Sequence, residues 1–271
     1  TKCFKTTVHD GGLYFHYKAN AELRPLIPQA RDSNRFSFYI KLPANFPLGS
    51  DNNIHFGTYT RDPIVNDLSN QGVHYYHYMN IPGSDYWTKV VCNQHPQHLC
   101  SSRTAPVNNP VYWDYYTGLL RFYIANIGHD VIPSPWTVYV DEFKFYSVTE
   151  PENDGTINTI TCTYMGAGRF IIGWHGNSQY DHNNHRYEVR YSTSPLTNSN
   201  YSAATVVLGS PFKLASGAYN YIKADFTINV NVSTRYYFAV KDIDSDNTHV
   251  TKIDYFINNS SAGDRTPPSI P

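Results

Sequence analysis

Short runs of alternating hydrophobic and polar residues cover most of the chain, and turn-forming residues separate them. The first such run is GLYFHYKA, and the last run before residue 149 is WTVYVDEFKFYSV. Successive side chains of a β-strand point to opposite faces of a sheet, so a two-residue period predicts strands. Long stretches with the helical period are absent. The pattern therefore predicts an all-β protein in which about seven or eight strands of the first half form a two-sheet sandwich.

The sequence also predicts where one sandwich ends and the next begins. The stretch TEPENDGT, at 149–156, is acidic and rich in turn-forming residues, and strand-like runs resume after it. We expect a first domain at 1–149, a linker at 150–156, a second domain at 157–259 and a proline-rich tail at 260–271.

The second half has the strand count and spacing of an immunoglobulin-like sandwich. Trp174 lies in the run RFIIGWHG, RYEVRYSTSPLT occupies 186–197, and VNVSTRYYFAVKDID occupies 230–244 with Tyr236 in it. In these motifs residues 157–258 resemble the fibronectin type III modules of bacterial secreted proteins. The resemblance makes Trp174 the strand-B tryptophan and Tyr236 the corner tyrosine, and it implies a spacer or adhesion module.

The first half resembles a different family of sandwiches. Its closing strand TVYVDEFKFYSV and the run RFSFYIKLP, at 35–43, are similar to strands of jelly-roll carbohydrate-binding modules. The resemblance implies carbohydrate binding, and it implies that Asp141 can hold a structural calcium ion. The alternative is that Asp141 is a surface carboxylate without a metal. In a regular strand Asp141 and Glu142 point to opposite faces and do not chelate together. No other cofactor is expected.

Composition limits the classes of partner. Charged residues make up 16% of the chain, and the formal net charge is −1. Because no basic stripe is present, nucleic-acid binding has little electrostatic support. No apolar run is long enough for a membrane span. The 24 tyrosines, with few lysines and an even number of cysteines, are typical of an extracellular protein.

The four cysteines predict up to two disulfide bonds. Cys92 and Cys100 enclose NQHPQHL, a loop short enough for a bridge that would hold the bend at Pro96. Cys3 and Cys162 then either pair with each other or remain free thiols.

Rings and imidazoles are concentrated between positions 74 and 121. Exposed aromatic rings stack on pyranose faces, and polar neighbours bind the hydroxyl groups. This chemistry predicts a set of ligand-binding residues, namely His77, Trp87, His95, His98, Trp113, Tyr115 and Tyr116. Two alternatives remain open for the imidazoles of His77, His95 and His98: they bind zinc or copper, or they form hydrogen bonds with loop carbonyls. For the tryptophans the alternative is a place in the core.

Three functions fit these patterns. The first is binding of a polysaccharide or cell-surface glycan. The second is a polysaccharide lyase, in which Tyr76, His77 or His95 acts as acid or base and Arg121 neutralises a uronate carboxylate. The third is a subunit of an extracellular fibre or adhesin that self-associates through its proline-rich tail. The tail GDRTPPSIP resembles the linkers that introduce another module in bacterial multidomain proteins. We expect a secreted carbohydrate-binding protein, with catalysis left open.

Overall fold

The structure is a computed structural model of the chain. It describes residues 4–8, 12–18, 35–44, 54–60, 74–79, 81–93, 119–126, 136–149, 157–176, 184–213, 221–245 and 248–257. These residues form strands β1 (Phe4–Val8), β2 (Gly12–Lys18), β3 (Arg35–Lys41), β4 (Ile54–Thr60), β5 (His74–Met79), β6 (Thr88–Asn93), β7 (Leu119–Asn126), β8 (Trp136–Tyr146), β9 (Ile157–Tyr164), β10 (Arg169–Gly176), β11 (Arg186–Ser192), β12 (Thr205–Val206), β13 (Phe212–Lys213), β14 (Tyr221–Thr227), β15 (Thr234–Asp242) and β16 (Thr251–Ile257). A short 3-10 turn covers Tyr201–Ala203.

The all-β prediction is confirmed for the described residues, in which every strand pairing is antiparallel. The described residues form three sheets. The central sheet has seven strands in the order β1-β8-β3-β6-β9-β10-β14. A four-stranded sheet has the order β2-β7-β4-β5, and a five-stranded sheet has the order β12-β11-β15-β16, with β13 paired to β11. No helix in the described residues is long and apolar enough to cross a membrane.

The central sheet joins the two halves of the chain. Its middle strand, β6 from the first half, pairs with β9 from the second, with Val91 in register with Ile160. The backbone of β5, from the four-stranded sheet, lies near β9 and β10. Strands on both sides of the expected linker thus share backbone hydrogen bonds, although the division into domains at 150–156 stays a prediction.

Burial along the strands shows which parts of the central sheet are covered on both faces. In β3 every residue is buried, including Arg35 and Lys41. In β14 and β16, by contrast, buried positions alternate with more exposed ones. A strand that lies between two other layers buries both of its faces, whereas an outer strand buries one. Both faces of β3 are therefore shielded from solvent.

The main core cluster lies between β9-β10-β14 and the five-stranded sheet, and it includes residues of the first half. Tyr39, Trp87 and Val91 belong to this cluster, together with Trp174 and Phe238. Burial of apolar surface is the main favourable term in folding. The first half therefore contributes directly to stabilising the second.

Two local contacts involve the tryptophan and the tyrosine on which the resemblance to fibronectin type III modules rests. Trp174 is fully buried on β10 and packs edge-on against Tyr187, with ring centroids 5.4 Å apart. The hydroxyl of Tyr236 accepts a 2.8 Å hydrogen bond from the main-chain N–H of Asn231, five residues upstream. A tyrosine corner has this form. Membership of the family stays a prediction.

The disulfide prediction is not supported. Cys92 and Cys162 are free, fully buried thiols, so neither the Cys92–Cys100 nor the Cys3–Cys162 bridge is formed. Cys92 lies on β6, where the hydroxyl of Thr159 donates to its Sγ atom over 3.9 Å, and Cys162 lies in the main core cluster. The strands thus place both thiols in the interior. Burial raises the pKa of each thiol well above its usual value.

Candidate binding cleft

A cavity of about 320 Å³ lies between the central sheet and strands β15 and β16 of the five-stranded sheet. Its floor comes from the first half of the chain and its wall from the second. The residues that line it are Ser37, Tyr39, Lys89, Glu142, Lys144, Tyr146, Arg235 and Asp254. The cavity contains three cations and two carboxylates as well as two tyrosines, so its chemistry is polar and aromatic.

An irregularity in the pairing of β3 with β8 shapes the floor. Ser37 is in register with Lys144, but two residues later Tyr39 is in register with Asp141, so β8 contains one extra residue. Glu142 lies within this bulge and has a φ of 50°. A bulge re-aims side chains relative to a regular strand. Beyond the bulge, Glu142 and Lys144 are two residues apart in the strand, and both line the cleft.

The wall is held to the floor by a three-residue ion-pair network. Asp254 on β16 accepts a 2.5 Å hydrogen bond from Nζ of Lys89 on β6, and it also binds Nη1 of Arg235 on β15. Burial of Asp254 acts to raise its pKa, but the ion pairs with Lys89 and Arg235 outweigh that effect and hold the pKa below its usual value. Asp254 is therefore ionised at neutral pH, and one carboxylate serves two cations.

Two cationic groups of the cleft retain unused binding capacity. Nη2 of Arg235 is buried, and no described residue accepts a hydrogen bond from it. Nζ of Lys144 is 3.4 Å from the Glu142 carboxylate, and the Lys144 side chain is 46% exposed. Guanidinium and ammonium N–H groups are donors only, so the partner that suits either group is an acceptor oxygen.

Tyr39 lies at the bottom of the cleft. Its ring is 6.3 Å from that of Tyr255, and Nζ of Lys89 lies 5.8 Å from its ring centroid. Burial, followed by the charge of Asp254, raises the pKa of Tyr39 far above its usual value. The hydroxyl of Tyr39 therefore keeps its proton at physiological pH.

Asp141, the candidate calcium ligand, is next to the cleft floor. Its Oδ1 accepts a 2.7 Å hydrogen bond from the main-chain N–H of Glu142, and its Oδ2 is buried with no hydrogen-bond partner among the described residues. Those residues contain no group of three or more histidine, cysteine, aspartate or glutamate side chains that could hold a metal ion. A calcium ion at Asp141 stays a prediction.

Of the ring and imidazole candidates, Trp87 is the one whose side chain the structure describes. Trp87 is only 3% exposed, belongs to the main core cluster and packs edge-on against Tyr139 with centroids 6.4 Å apart. A ring at this depth has no face available for a sugar. The core alternative for Trp87 fits this position, and we leave Trp87 out of the proposed ligand set.

The other candidates either lie on strands whose backbone alone is described or lie outside the described residues. Tyr76 and His77 lie on β5 and Arg121 lies on β7, two strands of the four-stranded sheet that are separated by β4, and only the backbone of these strands is described. The remaining candidates lie outside the described residues, namely His95, His98, Trp113, Tyr115 and Tyr116.

The residues of the cleft were missed by the sequence analysis, although a weak indication was present. Lys89, Lys144 and Arg235 are charged residues next to apolar or aromatic ones, in YWTKVVC, VDEFKFY and RYYFAV. Charged side chains are rarely buried unless they are paired. Such positions therefore point to a partner, but the sequence does not say which one.

Two comparisons with known proteins found no match. No known protein family matches the chain. No curated protein matches it either. The resemblances to jelly-roll and fibronectin type III domains therefore remain predictions from motifs.

Proposed function

We propose that the chain is a secreted protein that binds polysaccharide in the cleft between its central and five-stranded sheets. The observation that carries the proposal is the cavity of about 320 Å³, which combines tyrosine rings with hydroxyl, carboxylate and cationic groups. Ligand sites typically have volumes of about 300–1,000 Å³ and a few convergent polar groups. The size of the cavity suits a short segment of a sugar chain.

The lining offers both contacts that a sugar needs. Tyr146 is partly exposed at the cleft, where its ring can pack on an apolar pyranose face. Ser37, Glu142 and Lys144 supply acceptors and donors for hydroxyl groups. The Lys89–Asp254 ion pair joins floor and wall without a ligand, so the site is formed before binding. A pre-formed site loses less entropy when it binds.

The cleft also gives the second half a role beyond that of a spacer. Arg235 and Asp254 belong to the segment expected to be a fibronectin type III module, and both line the cavity. We infer that this half contributes binding groups as well as positioning the first half.

Binding fits the cleft better than lyase chemistry does. A tyrosine that removes a proton from a uronate must itself lose a proton, and the raised pKa of Tyr39 opposes that loss. The lyase hypothesis for Tyr76, His77, His95 and Arg121 stays a prediction, and growth of ultraviolet absorbance from an unsaturated uronate on mixing with uronic-acid polymers tests it.

Isothermal titration with a panel of neutral and acidic polysaccharides tests the proposal. We expect at least one polysaccharide to bind, and we expect Tyr146→Ala to weaken that binding about tenfold, which is about 1.4 kcal/mol. Tyr146→Phe is the matched control, because it keeps the ring and removes only the hydroxyl. A panel without any binding, or a Tyr146→Ala variant that is folded by circular dichroism and binds like the wild type, would refute the assignment.

A further inference from the structure

The charges in the cleft do not balance. Lys89, Lys144 and Arg235 contribute three positive charges, whereas Glu142 and Asp254 contribute two negative ones. Asp254 is shared between Lys89 and Arg235, and Glu142 lies 3.4 Å from Lys144. The lining as a whole therefore keeps one excess positive charge at a site that is partly shielded from water.

Arg235 shows where an anionic group would be accepted. Its Nη1 donates to Asp254 and its guanidinium carbon lies 5.7 Å from the Phe256 ring centroid, so two contacts hold the side chain in place. Its Nη2 is buried and has no acceptor among the described residues. A buried donor without an acceptor is costly, and a hydrogen bond from a cation to an anionic oxygen is among the strongest in proteins. A ligand oxygen at Nη2 would relieve that cost.

Lys144 on β8 provides a second cation that lines the same cavity. Its side chain is about half exposed, and its bond to Glu142 is long for an ion pair. It can therefore turn towards an incoming anion at little cost. Glu142 opposes an anionic ligand, but it is one carboxylate beside a lysine, and Asp254 is already occupied by two cations.

We propose that the cleft selects sugars that carry an acidic group, a carboxylate or a sulfate, whose oxygen accepts a hydrogen bond from Nη2 of Arg235 and pairs with Lys144. This inference rests on the proposed function and names the class of its ligand. The whole chain has a formal net charge of only −1, so general attraction of polyanions to a basic protein does not account for such a preference.

A matched pair of glycans tests the inference. Oligogalacturonides and their carboxyl-reduced neutral counterparts have the same linkage and length, and a sulfated oligosaccharide with its desulfated form separates sulfate from carboxylate. We expect at least one acidic form to bind the wild type ten times more tightly than its neutral counterpart. Equal affinity within both pairs overturns the inference but leaves sugar binding intact. Absence of binding to every glycan, neutral or acidic, overturns both proposals.

Substitutions test which residues cause the preference for acidic glycans. Lys144→Gln changes an exposed residue, and we expect it to weaken binding of the acidic glycan about fivefold and to leave binding of the neutral one unchanged. Arg235→Lys keeps a charge near Asp254 but loses Nη2, and we expect a larger loss for the acidic glycan. Lys223→Gln, an exposed lysine on β14 that does not line the cleft, is the control. If Lys144→Gln and Arg235→Lys both fold and keep the acidic preference, the assignment to these residues is wrong.

Discussion

The hydroxyl of Tyr255 donates a 2.7 Å hydrogen bond to the main-chain carbonyl of Trp87, 168 positions earlier in the chain. Both residues are buried, and both belong to the main core cluster. Two positions from Trp87, Lys89 forms its ion pair with Asp254, the neighbour of Tyr255. The start of β6, with Trp87 just before it, and strand β16 thus build the core contact and the adjoining cleft together.

Removal of the Tyr255 hydroxyl is expected to destabilise the whole protein. Tyr255→Phe keeps the ring in the core but leaves the Trp87 carbonyl without this donor. Loss of one partner of a buried hydrogen bond costs about 1–3 kcal/mol. Chemical denaturation measures the free energy of unfolding. Tyr191→Phe is the control, because that ring packs against Phe238 and no described residue binds its hydroxyl. A Tyr255→Phe loss no larger than that of the control would contradict the role of this bond.

The two halves are expected to unfold together. They share the β6–β9 pairing and one core cluster, so loss of either half exposes an unpaired strand edge and apolar surface of the other. Differential scanning calorimetry should show one transition whose calorimetric and van't Hoff enthalpies agree. Two separate transitions would instead support independent domains on either side of 150–156.

The ion pairs of Asp254 predict how stability depends on pH. The pKa of Asp254 in the folded protein lies below that of an unfolded aspartate, which is about 3.9. Its stabilising contribution is therefore fully present above about pH 4 and is lost as the pH falls through the folded-state pKa. We expect Asp254→Asn to lower the free energy of unfolding by about 1–3 kcal/mol at pH 7, with the difference from wild type shrinking towards pH 3.

An exposed ion pair is the comparison for Asp254. Asp225 binds Arg169 with both side chains well exposed, and such pairs contribute less than about 1 kcal/mol. Denaturation curves of Asp225→Asn and Asp254→Asn should therefore differ at pH 7. Equal losses, or a loss for Asp254→Asn that does not change with pH, would argue against the network.

The buried thiols predict a labelling pattern. Cys92 and Cys162 are fully buried, so an alkylating reagent does not reach them in the folded state. Their raised pKa values also keep both thiols protonated, whereas the reactive form is the thiolate. Iodoacetamide should leave both unmodified in native protein and label both in guanidinium chloride without a reductant. Peptide mass spectrometry identifies the labelled sites. If Cys92 reacts in denaturant only after reduction, it was in a disulfide bond.

Much of the secondary structure could be predicted from the sequence, since strand periodicity is local. The run RFSFYIKLP contains β3, and GLYFHYKA and RFIIGWHG contain β2 and β10. β1 and β13 were not predicted. β1, with the sequence FKTTV, has no clear alternation, and β13 has two residues, which is too short for a period to be visible.

The candidate site could not be predicted in the same way. Sequence reasoning favoured rings between positions 74 and 121, yet Trp87 is in the core, and the cleft is lined by residues of β3, β6, β8, β15 and β16. The bulge at Glu142 adds one residue to β8 relative to β3, and no residue type in VDEFKFY predicts this bulge. Whether Lys89 is a solvent-exposed charge or part of a buried network depends on a partner 165 positions away.

The sequence by itself determined that this protein is built from β-strands, because the alternation of hydrophobic and polar side chains is set residue by residue along each strand. Only the tertiary structure decided that β6 pairs with β9, that Trp87 is buried and that Arg235 and Lys144 line one cavity. Backbone hydrogen bonds between strands carry no information about side chains, so many pairings satisfy the same alternation. The burial of apolar surface over the entire fold selects one of them.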